Sequence, residues 1–129
     1  MEDGPANLRE VVLAKKWGEA ISYCKSNQSS LDERSIVYWI RSLYENKDYS
    51  SCIDICEQFS PLSGRNAQSL RTFQLRSLRR RGEKELASSF AEGIVMDYPE
   101  DVEALTFLVR HHMEGGNFET ALQWCHQIL

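Results

Sequence analysis

Four arginines recur along the chain at nearly constant distances, and their chemistry suits the recognition of anions. Arg9, Arg41, Arg76 and Arg110 are separated by 32, 35 and 34 residues. A guanidinium presents a planar fork of N–H donors that matches a carboxylate or a phosphate. Where copies of a repeat stack in register, equivalent side chains of neighbouring copies lie side by side. The arginine column is therefore predicted to concentrate positive potential on one surface of the protein.

Aromatic residues accompany three of these arginines. Tyr38, Phe73 and Phe107 each stand three residues before an arginine of the column, whereas Ala6 takes this place before Arg9. Residues at i and i+3 share a helical face, and a ring beside a guanidinium adds apolar contact and cation–π attraction. The two columns together predict a binding site for an acidic or carboxylate-bearing peptide segment of another protein.

An ordinary surface role for the same residues stays open. Arg41 has Glu45 four residues later, and Arg110 has Glu114 at the same distance. Such helical ion pairs contribute at most about 0.5 kcal/mol each. Arg76 has another arginine at that place, so ion pairing does not account for the whole column. The three aromatic rings are equally compatible with positions in a hydrophobic core.

The elements that would position these side chains repeat as well. The segments that follow four polar turns are KKWGEAISYCK from residue 15, KDYSSCIDICE from 47, GEKELASSFAE from 82 and GNFETALQWCH from 116. Small residues fill two places in every copy, namely Ala20, Cys52, Ala87 and Ala121, and four residues later Cys24, Cys56, Ala91 and Cys125. Small residues at i and i+4 lie on one helical face and let another helix approach closely. An aromatic residue just after the turn is predicted to pack on the preceding helix in three copies: Trp17, Tyr49 and Phe118.

Apolar stripes with helical period precede these turns. The clearest two consist of Ile36, Trp39, Ile40 and Leu43, and of Leu105, Leu108, Val109 and His112 at places 69 residues later. No segment between turn signals alternates with period two, so strands are disfavoured. The polar segments SNQSS, SPLSGRN and DYPED separate the hairpins. The pattern predicts an all-α fold of about seven to eight helices, with Asp97 or Asp101 capping the helix that follows Pro99.

These features resemble the tetratricopeptide repeat, a helical hairpin of about 34 residues with the pattern W-x₂-L-G-x₂-Y, then A-x₃-F, then P. The fourth copy is closest to this pattern, with Leu105, Leu108 and His112 before the turn, Gly116 in it, and Ala121 and Cys125 after it. Pro99 occupies the closing place of the third copy. The small residue of the first helix is replaced by Leu8, Ile40, Leu75 and Val109.

The resemblance implies one domain over residues 1–129, with copies at about 1–32, 33–65, 66–100 and 101–129 stacked as a right-handed solenoid. In this family the first helix of each hairpin lines a concave groove, which places the arginine and aromatic columns there. It also implies a non-catalytic scaffold or adaptor that binds another protein or peptide.

Composition narrows the remaining functions. The chain has 129 residues, a formal net charge of −4 and 42% hydrophobic residues, which suits one globular domain. The acidic charge argues against a nucleic-acid partner. The acidic N-terminus MEDGPANLRE lacks an apolar signal core, and no apolar run reaches the roughly 20 residues of a membrane span. These features predict an intracellular, cytoplasmic protein that does not bind membranes.

Residues for catalysis or metal binding do not form a recognisable pattern. Cys24, Cys52, Cys56 and Cys125 lack paired C-x₂-C spacing and are predicted to be reduced and mostly buried. The adjacent His111 and His112 point in different directions on a helix. No Gly-rich phosphate loop or H-E-x-x-H signature occurs. We therefore expect no catalytic residue, no metal and no cofactor, and a protein that is not an enzyme.

The C-terminal helix, FETALQWCHQIL, carries apolar residues on more than one face. Trp124, Ile128 and Leu129 are predicted to form an interface, either with a second copy of the chain or with a downstream domain. The abrupt end also fits a piece of a longer protein, such as the accessory domain of an enzyme like a transferase. Simple fraying of the helix is a further explanation.

Overall fold

The computed structural model describes the backbone of residues 5–128 and the side chains of residues 8–127. Within this range the chain forms eight α-helices, one short 3₁₀ turn at Gln28–Ser30 and no strand. The helices are α1 (Pro5–Leu13), α2 (Trp17–Ser26), α3 (Glu33–Glu45), α4 (Tyr49–Phe59), α5 (Gly64–Arg80), α6 (Lys84–Asp97), α7 (Val102–Glu114) and α8 (Phe118–Ile128). The all-α prediction is confirmed. None of the described helices is long and apolar enough to cross a lipid bilayer.

The same turn closes each of the four hairpins. One residue of every turn has positive φ: Lys15 (61°), Lys47 (64°), Gly82 (78°) and Gly116 (78°). The next N–H donates to the carbonyl five residues earlier: Lys16 to Val11 (3.1 Å), Asp48 to Leu43 (2.9 Å), Glu83 to Leu78 (3.0 Å) and Asn117 to His112 (2.7 Å). This bond is the mark of a Schellman motif, which satisfies carbonyls at the end of a helix. The turns recur with the spacing of the arginine column, so the hairpin repeat is present in the backbone.

Aspartate side chains cap three of the helices: Asp32 caps α3, Asp48 caps α4 and Asp101 caps α7. Asp32 accepts a hydrogen bond from the Ser35 amide at 2.9 Å and caps α3. Asp101 does the same for α7, where it accepts a hydrogen bond from the Ala104 amide at 3.0 Å. Of the two predicted candidates, Asp97 and Asp101, the cap is therefore Asp101. The hydrogen bonds from Ser35 lower the pKa of Asp32, because they stabilise the ionised carboxylate. Each such cap stabilises its helix by about 1 kcal/mol.

The chain divides into two compact units at Ser77, within α5. The N-terminal unit, residues 1–77, holds α1 to α4 and most of α5. In it α1 packs on α2 and α3, α2 packs on α3, and α3 packs on α4. Its core contains Leu8, Val12, Ala20, Cys24, Ile36, Trp39, Ile40, Leu43, Cys52, Cys56 and Leu70. All four residues of the predicted apolar stripe of α3 thus belong to this core.

The C-terminal unit, residues 78–129, holds the end of α5 and the helices α6, α7 and α8. Helix α7 packs against both α6 and α8. The buried apolar residues include Ala87, Ala91, Ile94, Val95, Ala104, Leu105, Leu108 and Ala121. Seven of the eight small residues predicted at helix contacts are buried, and Cys125 is half-buried. The reasoning from small residues to close helix packing therefore holds in both units.

The prediction for the aromatic after the turn holds for Tyr49 and fails for Phe118. The Tyr49 ring lies 5.5 Å from the ring of Tyr44 on the preceding helix. Phe118 is 63% exposed. The place of Tyr44 is taken in the last hairpin by Met113, which is itself 51% exposed, so Phe118 has no aromatic partner there.

Candidate functional site

A groove runs along one face of α5 in the N-terminal unit. It has a volume of about 430 Å³ and is lined by Arg65, Gln68, Ser69, Thr72, Phe73 and Arg76. These positions follow the spacing i, i+3, i+4, i+7, i+8 and i+11, which places them on a single side of a helix. We call this surface the α5 groove. It carries two guanidinium groups, an aromatic ring and three polar side chains in one row.

The positions of Arg76 and Phe73 are fixed by aromatic packing. The Arg76 guanidinium carbon lies 5.3 Å from the centre of the Phe73 ring. That ring packs at 5.6 Å against Tyr44 of α3, and Tyr44 in turn contacts Tyr49 of α4. A guanidinium held over a ring loses less rotamer freedom on binding an anion, and it keeps its N–H donors in its own plane.

The N-terminal end of the α5 groove is tied to α3 by Glu33. Its carboxylate accepts hydrogen bonds from the Ser63 amide at 3.0 Å, the Ser63 hydroxyl at 3.1 Å and the Asn66 side-chain amide at 3.4 Å. The bond from the Ser63 amide is the main cause that lowers the pKa of Glu33, since it favours the ionised form. Because Ser63 and Asn66 flank Arg65 in the chain, this contact fixes the backbone that carries Arg65 at the start of the groove.

The other predicted site residues of the N-terminal unit lie outside the α5 groove. The Arg41 guanidinium lies 5.7 Å from the centre of the Trp17 ring of α2. Tyr38 is half-buried and packs against the core, where its carbonyl accepts a hydrogen bond from the Ser42 hydroxyl at 2.8 Å. Arg9 is exposed on α1. Of the predicted set, the structure therefore brings Phe73 and Arg76 together in one groove.

The remaining two predicted residues belong to the C-terminal unit. Phe107 is half-buried, with its ring 5.3 Å from the Arg79 guanidinium carbon and stacked on His111 at 5.7 Å. Arg79 also lies 4.0 Å from a Glu103 carboxylate oxygen. Arg110 is exposed. Phe107 thus has a guanidinium neighbour as predicted, but the neighbour is Arg79. The four-membered arginine column stays a prediction.

Sequence reasoning missed four members of the α5 groove: Arg65, Gln68, Ser69 and Thr72. These residues line up along one helix, so they do not occupy equivalent places in different repeats. The available signal lay within α5 itself, where polar residues recur at helical spacing on both sides of Phe73, at positions 65, 68, 69, 72 and 76. Helix α5 is also the longest helix described, at 17 residues.

A second pocket in the C-terminal unit has the opposite character. Its volume is about 500 Å³, and it is lined by Lys84, Glu85, Ser88, Ser89, Glu92, His111, His112, Glu114, Gly115 and Asn117. Lys84 lies 3.9 Å from the Glu114 carboxylate, which offsets part of the negative charge. Among residues 8–127, no group of three or more His, Cys, Asp or Glu side chains is arranged to hold a metal ion.

Charge is distributed unevenly between the two units. Residues 1–77 contain ten basic and ten acidic residues, and residues 78–129 contain five and nine, so the net charge of −4 comes from the C-terminal part. The α5 groove is therefore a basic surface on a unit with no net charge. Because this unit has no net negative charge, its overall charge does not repel an anionic ligand that approaches the groove.

The cysteines have the surroundings of structural thiols. Cys24, Cys52 and Cys56 are buried and free of disulfides. Burial raises the pKa of the Cys24 thiol to about 12, and the neighbouring Cys52 thiol together with burial raises the pKa of Cys56. The Sγ atoms of Cys52 and Cys56 lie 3.6 Å from the carbonyl oxygens of Ile40 and Leu70. The Cys24 and Cys56 thiols, kept protonated in this way, are poor nucleophiles, whereas the hydrogen bond with the Cys56 thiol lowers the pKa of Cys52.

The predicted C-terminal interface is described only in part. Trp124 is half-buried, whereas Leu129 and the side chain of Ile128 lie outside the described residues. Phe118 and Leu122, one turn apart on α8, are 63% and 58% exposed. The apolar surface that α8 presents is thus centred on these two residues.

Comparison with known proteins places the chain in no group. No family model matches it. No curated protein and no solved structure shows significant similarity to it.

Proposed function

We propose that the chain is a non-catalytic protein-interaction module of the tetratricopeptide type, and that its α5 groove binds an acidic or carboxylate-bearing segment of a partner protein. Stacking of its hairpins as a right-handed solenoid is part of this proposal. The observation that carries it is the presence of Arg65, Phe73 and Arg76 in one groove. The four matching Schellman turns support the hairpin repeat on which the family resemblance rests.

The chemistry of the groove favours a peptide over a larger polyanion. Two arginines provide charge-assisted hydrogen bonds, each contributing roughly 1.5–3 kcal/mol when the partner is a carboxylate. Phe73 adds apolar contact, and the polar residues between the arginines suit the main chain of a peptide. Nucleic acids instead require many phosphate contacts spread over a strongly basic surface. The net charge of −4 does not provide such a surface.

Fluorescence anisotropy with a labelled acidic peptide tests this proposal. A peptide of about twelve residues, with glutamates scattered among glycine and serine, is titrated with the folded chain. We expect Arg76→Gln to weaken binding about tenfold, equivalent to about 1.4 kcal/mol. Affinity should also fall as salt rises, because exposed charges are screened.

Arg81→Gln is the matched control. Arg81 is exposed, and its Nε atom pairs with Glu83 at 3.0 Å, outside the α5 groove. The substitution removes the same charge from the turn that follows α5, so we expect it to change the affinity less than twofold. Equal losses for the two variants would show that the peptide responds to net charge alone, and would contradict a specific groove.

Self-association through α8 is the second candidate function, favoured by the exposure of Phe118 and Leu122. In this case Leu122→Glu should abolish a concentration-dependent dimer in sedimentation velocity. Gln123→Glu, on the neighbouring exposed position, adds the same charge and should leave the dimer intact. A wild-type chain that stays monomeric at high concentration would remove this candidate. A role as an enzyme's accessory domain stays a prediction.

A further inference from the structure

We infer that the α5 groove selects its ligand by spacing, and that it recognises an extended acidic segment whose two anionic groups lie four to six residues apart. This inference rests on the proposed function and adds to it the class of partner sequence. Its basis is the placement of Arg65 and Arg76 at opposite ends of one groove, with polar side chains between them.

The distance between the two arginines follows from helix geometry. They are eleven residues apart within α5. At a rise of 1.5 Å per residue this separation is about 16 Å along the helix axis. Eleven residues also complete three turns with about 20° to spare, so both side chains leave the same side of the helix. The Cα atoms of the two arginines therefore lie about 16 Å apart, and this separation sets the scale of the distance between the two anion-binding positions.

An extended peptide matches this distance over a short segment. Its residues advance about 3.3 Å each, so five residues span about 16 Å. The reach of the arginine side chains widens the match to separations of four to six. A helical ligand needs its two anionic groups about eleven positions apart, with ten residues between them, to cover the same distance.

The middle of the groove favours the extended form. An extended strand presents N–H and C=O groups that need hydrogen-bonding partners, whereas a helix satisfies its own. Gln68, Ser69 and Thr72 occupy the centre of the groove with amide and hydroxyl groups. The Thr72 hydroxyl donates to the Gln68 carbonyl at 3.0 Å, which leaves its oxygen as an acceptor for a peptide N–H.

Two further contacts constrain the ligand. Phe73 lies one turn before Arg76, about 4.5 Å along the axis, so it favours an apolar ligand residue one or two positions from the anionic group bound there. Glu33 holds Ser63 and Asn66 on either side of Arg65. Its negative charge disfavours a third anionic group beyond that end of the groove.

A peptide series tests the spacing. Labelled peptides of constant length and charge carry two glutamates separated by zero to ten glycine or serine residues, and their affinities are measured by anisotropy. We expect the tightest binding with three to five intervening residues, at least about fivefold tighter than with adjacent glutamates. Arg65→Gln should flatten the profile, because it leaves one anion-binding position. Arg34→Gln, an exposed arginine of α3 outside the groove, should preserve the profile.

Each outcome has a distinct meaning. A flat profile that stays sensitive to Arg76→Gln would overturn the spacing rule while leaving the proposed function in place. An optimum at ten intervening residues would overturn the extended form in favour of a helical ligand. Absence of binding by every peptide, including the scattered acidic peptide described above, would contradict both the spacing rule and the proposed function. Circular dichroism of Arg65→Gln confirms that this surface substitution leaves the helices intact.

Discussion

The two units present two concave surfaces of similar size and opposite charge. The α5 groove carries Arg65 and Arg76, whereas the pocket beside α6 and α7 includes Glu85, Glu92 and Glu114. Both arise on hairpins closed by the same turn. A repeated scaffold therefore fixes where side chains stand, while the residue types at exposed places decide which ligand chemistry a surface suits. The paired guanidinium groups that suit an anion line the groove of one unit, and no arginine lines the pocket of the other unit.

The largest expected effect comes from the core of the N-terminal unit. Trp39 is 2% exposed, and its ring lies 5.9 Å from that of Phe59. Trp39→Ala should lower the free energy of unfolding by about 3–5 kcal/mol, because it leaves a large cavity. Denaturant unfolding followed by circular dichroism measures this change. Phe118→Ala is the exposed aromatic control, expected within about 0.5 kcal/mol of wild type, and a similar loss for both would contradict the core described here.

Reversing charge in each surface sharpens the comparison between them. Arg76→Glu should weaken binding of the acidic peptide more than tenfold, since it replaces attraction with repulsion at the ligand. Glu92→Arg, in the pocket of the C-terminal unit, adds positive charge to the protein and should change the affinity less than threefold. Anisotropy at constant salt measures both. A larger effect from Glu92→Arg would indicate that the peptide binds to the C-terminal unit, which would contradict binding in the α5 groove.

The hairpin turns give a third comparison, because the N-terminal unit uses lysine where the C-terminal unit uses glycine. Lys47 has a φ of 64° and Gly82 a φ of 78°. A side chain in this left-handed region costs about 1 kcal/mol. Lys47→Gly should therefore stabilise the chain by about 0.5 kcal/mol, after allowing for the more flexible unfolded state. Gly82→Ala should destabilise it by about 1 kcal/mol, and thermal unfolding distinguishes the two signs.

The smallest effect concerns pH and the contact that positions Arg65. The pKa of Glu33 is lowered from its ordinary value of 4.5, chiefly by the Ser63 amide. A carboxyl whose pKa is depressed on folding adds stability above its unfolded pKa and loses it as pH falls through the folded pKa. Glu33→Gln should thus be less stable than wild type at pH 7, and the difference should shrink as the pH falls below 4.5 and through the lowered pKa of the folded state. A difference independent of pH would contradict a role for the ionised carboxylate.

Much of the fold could be predicted from the sequence because the places where helices contact one another require small residues, and these recur at the repeat period. The small residues at Ala20, Cys24, Cys52 and Cys56 are buried as expected, since only small side chains allow helices to approach closely. The turns follow the same period. The end of the repeat was less predictable: Phe118 matches Tyr49 by position, but its partner residue is Met113 instead of an aromatic.

The site could be predicted only in part, for a physical reason. Helical period shows which residues share a face, but a long side chain can turn toward any neighbour within several ångströms. Arg41 lies over Trp17, and Phe107 contacts Arg79. The row from Arg65 to Arg76 runs along one helix, where comparison between repeats does not detect it. Phe73 and Arg76 could be predicted because they belong both to the columns of equivalent places in the repeats and to the row along α5.

A titration followed by two-dimensional ¹⁵N NMR tests the central claim most directly. The chain is titrated with a peptide that carries two glutamates separated by four residues. We expect the largest shift changes among the amides of residues 65–76 and the Nε resonances of Arg65 and Arg76. Changes concentrated in α8, or around Glu85 and Glu92, would contradict the assignment of anion recognition to the α5 groove.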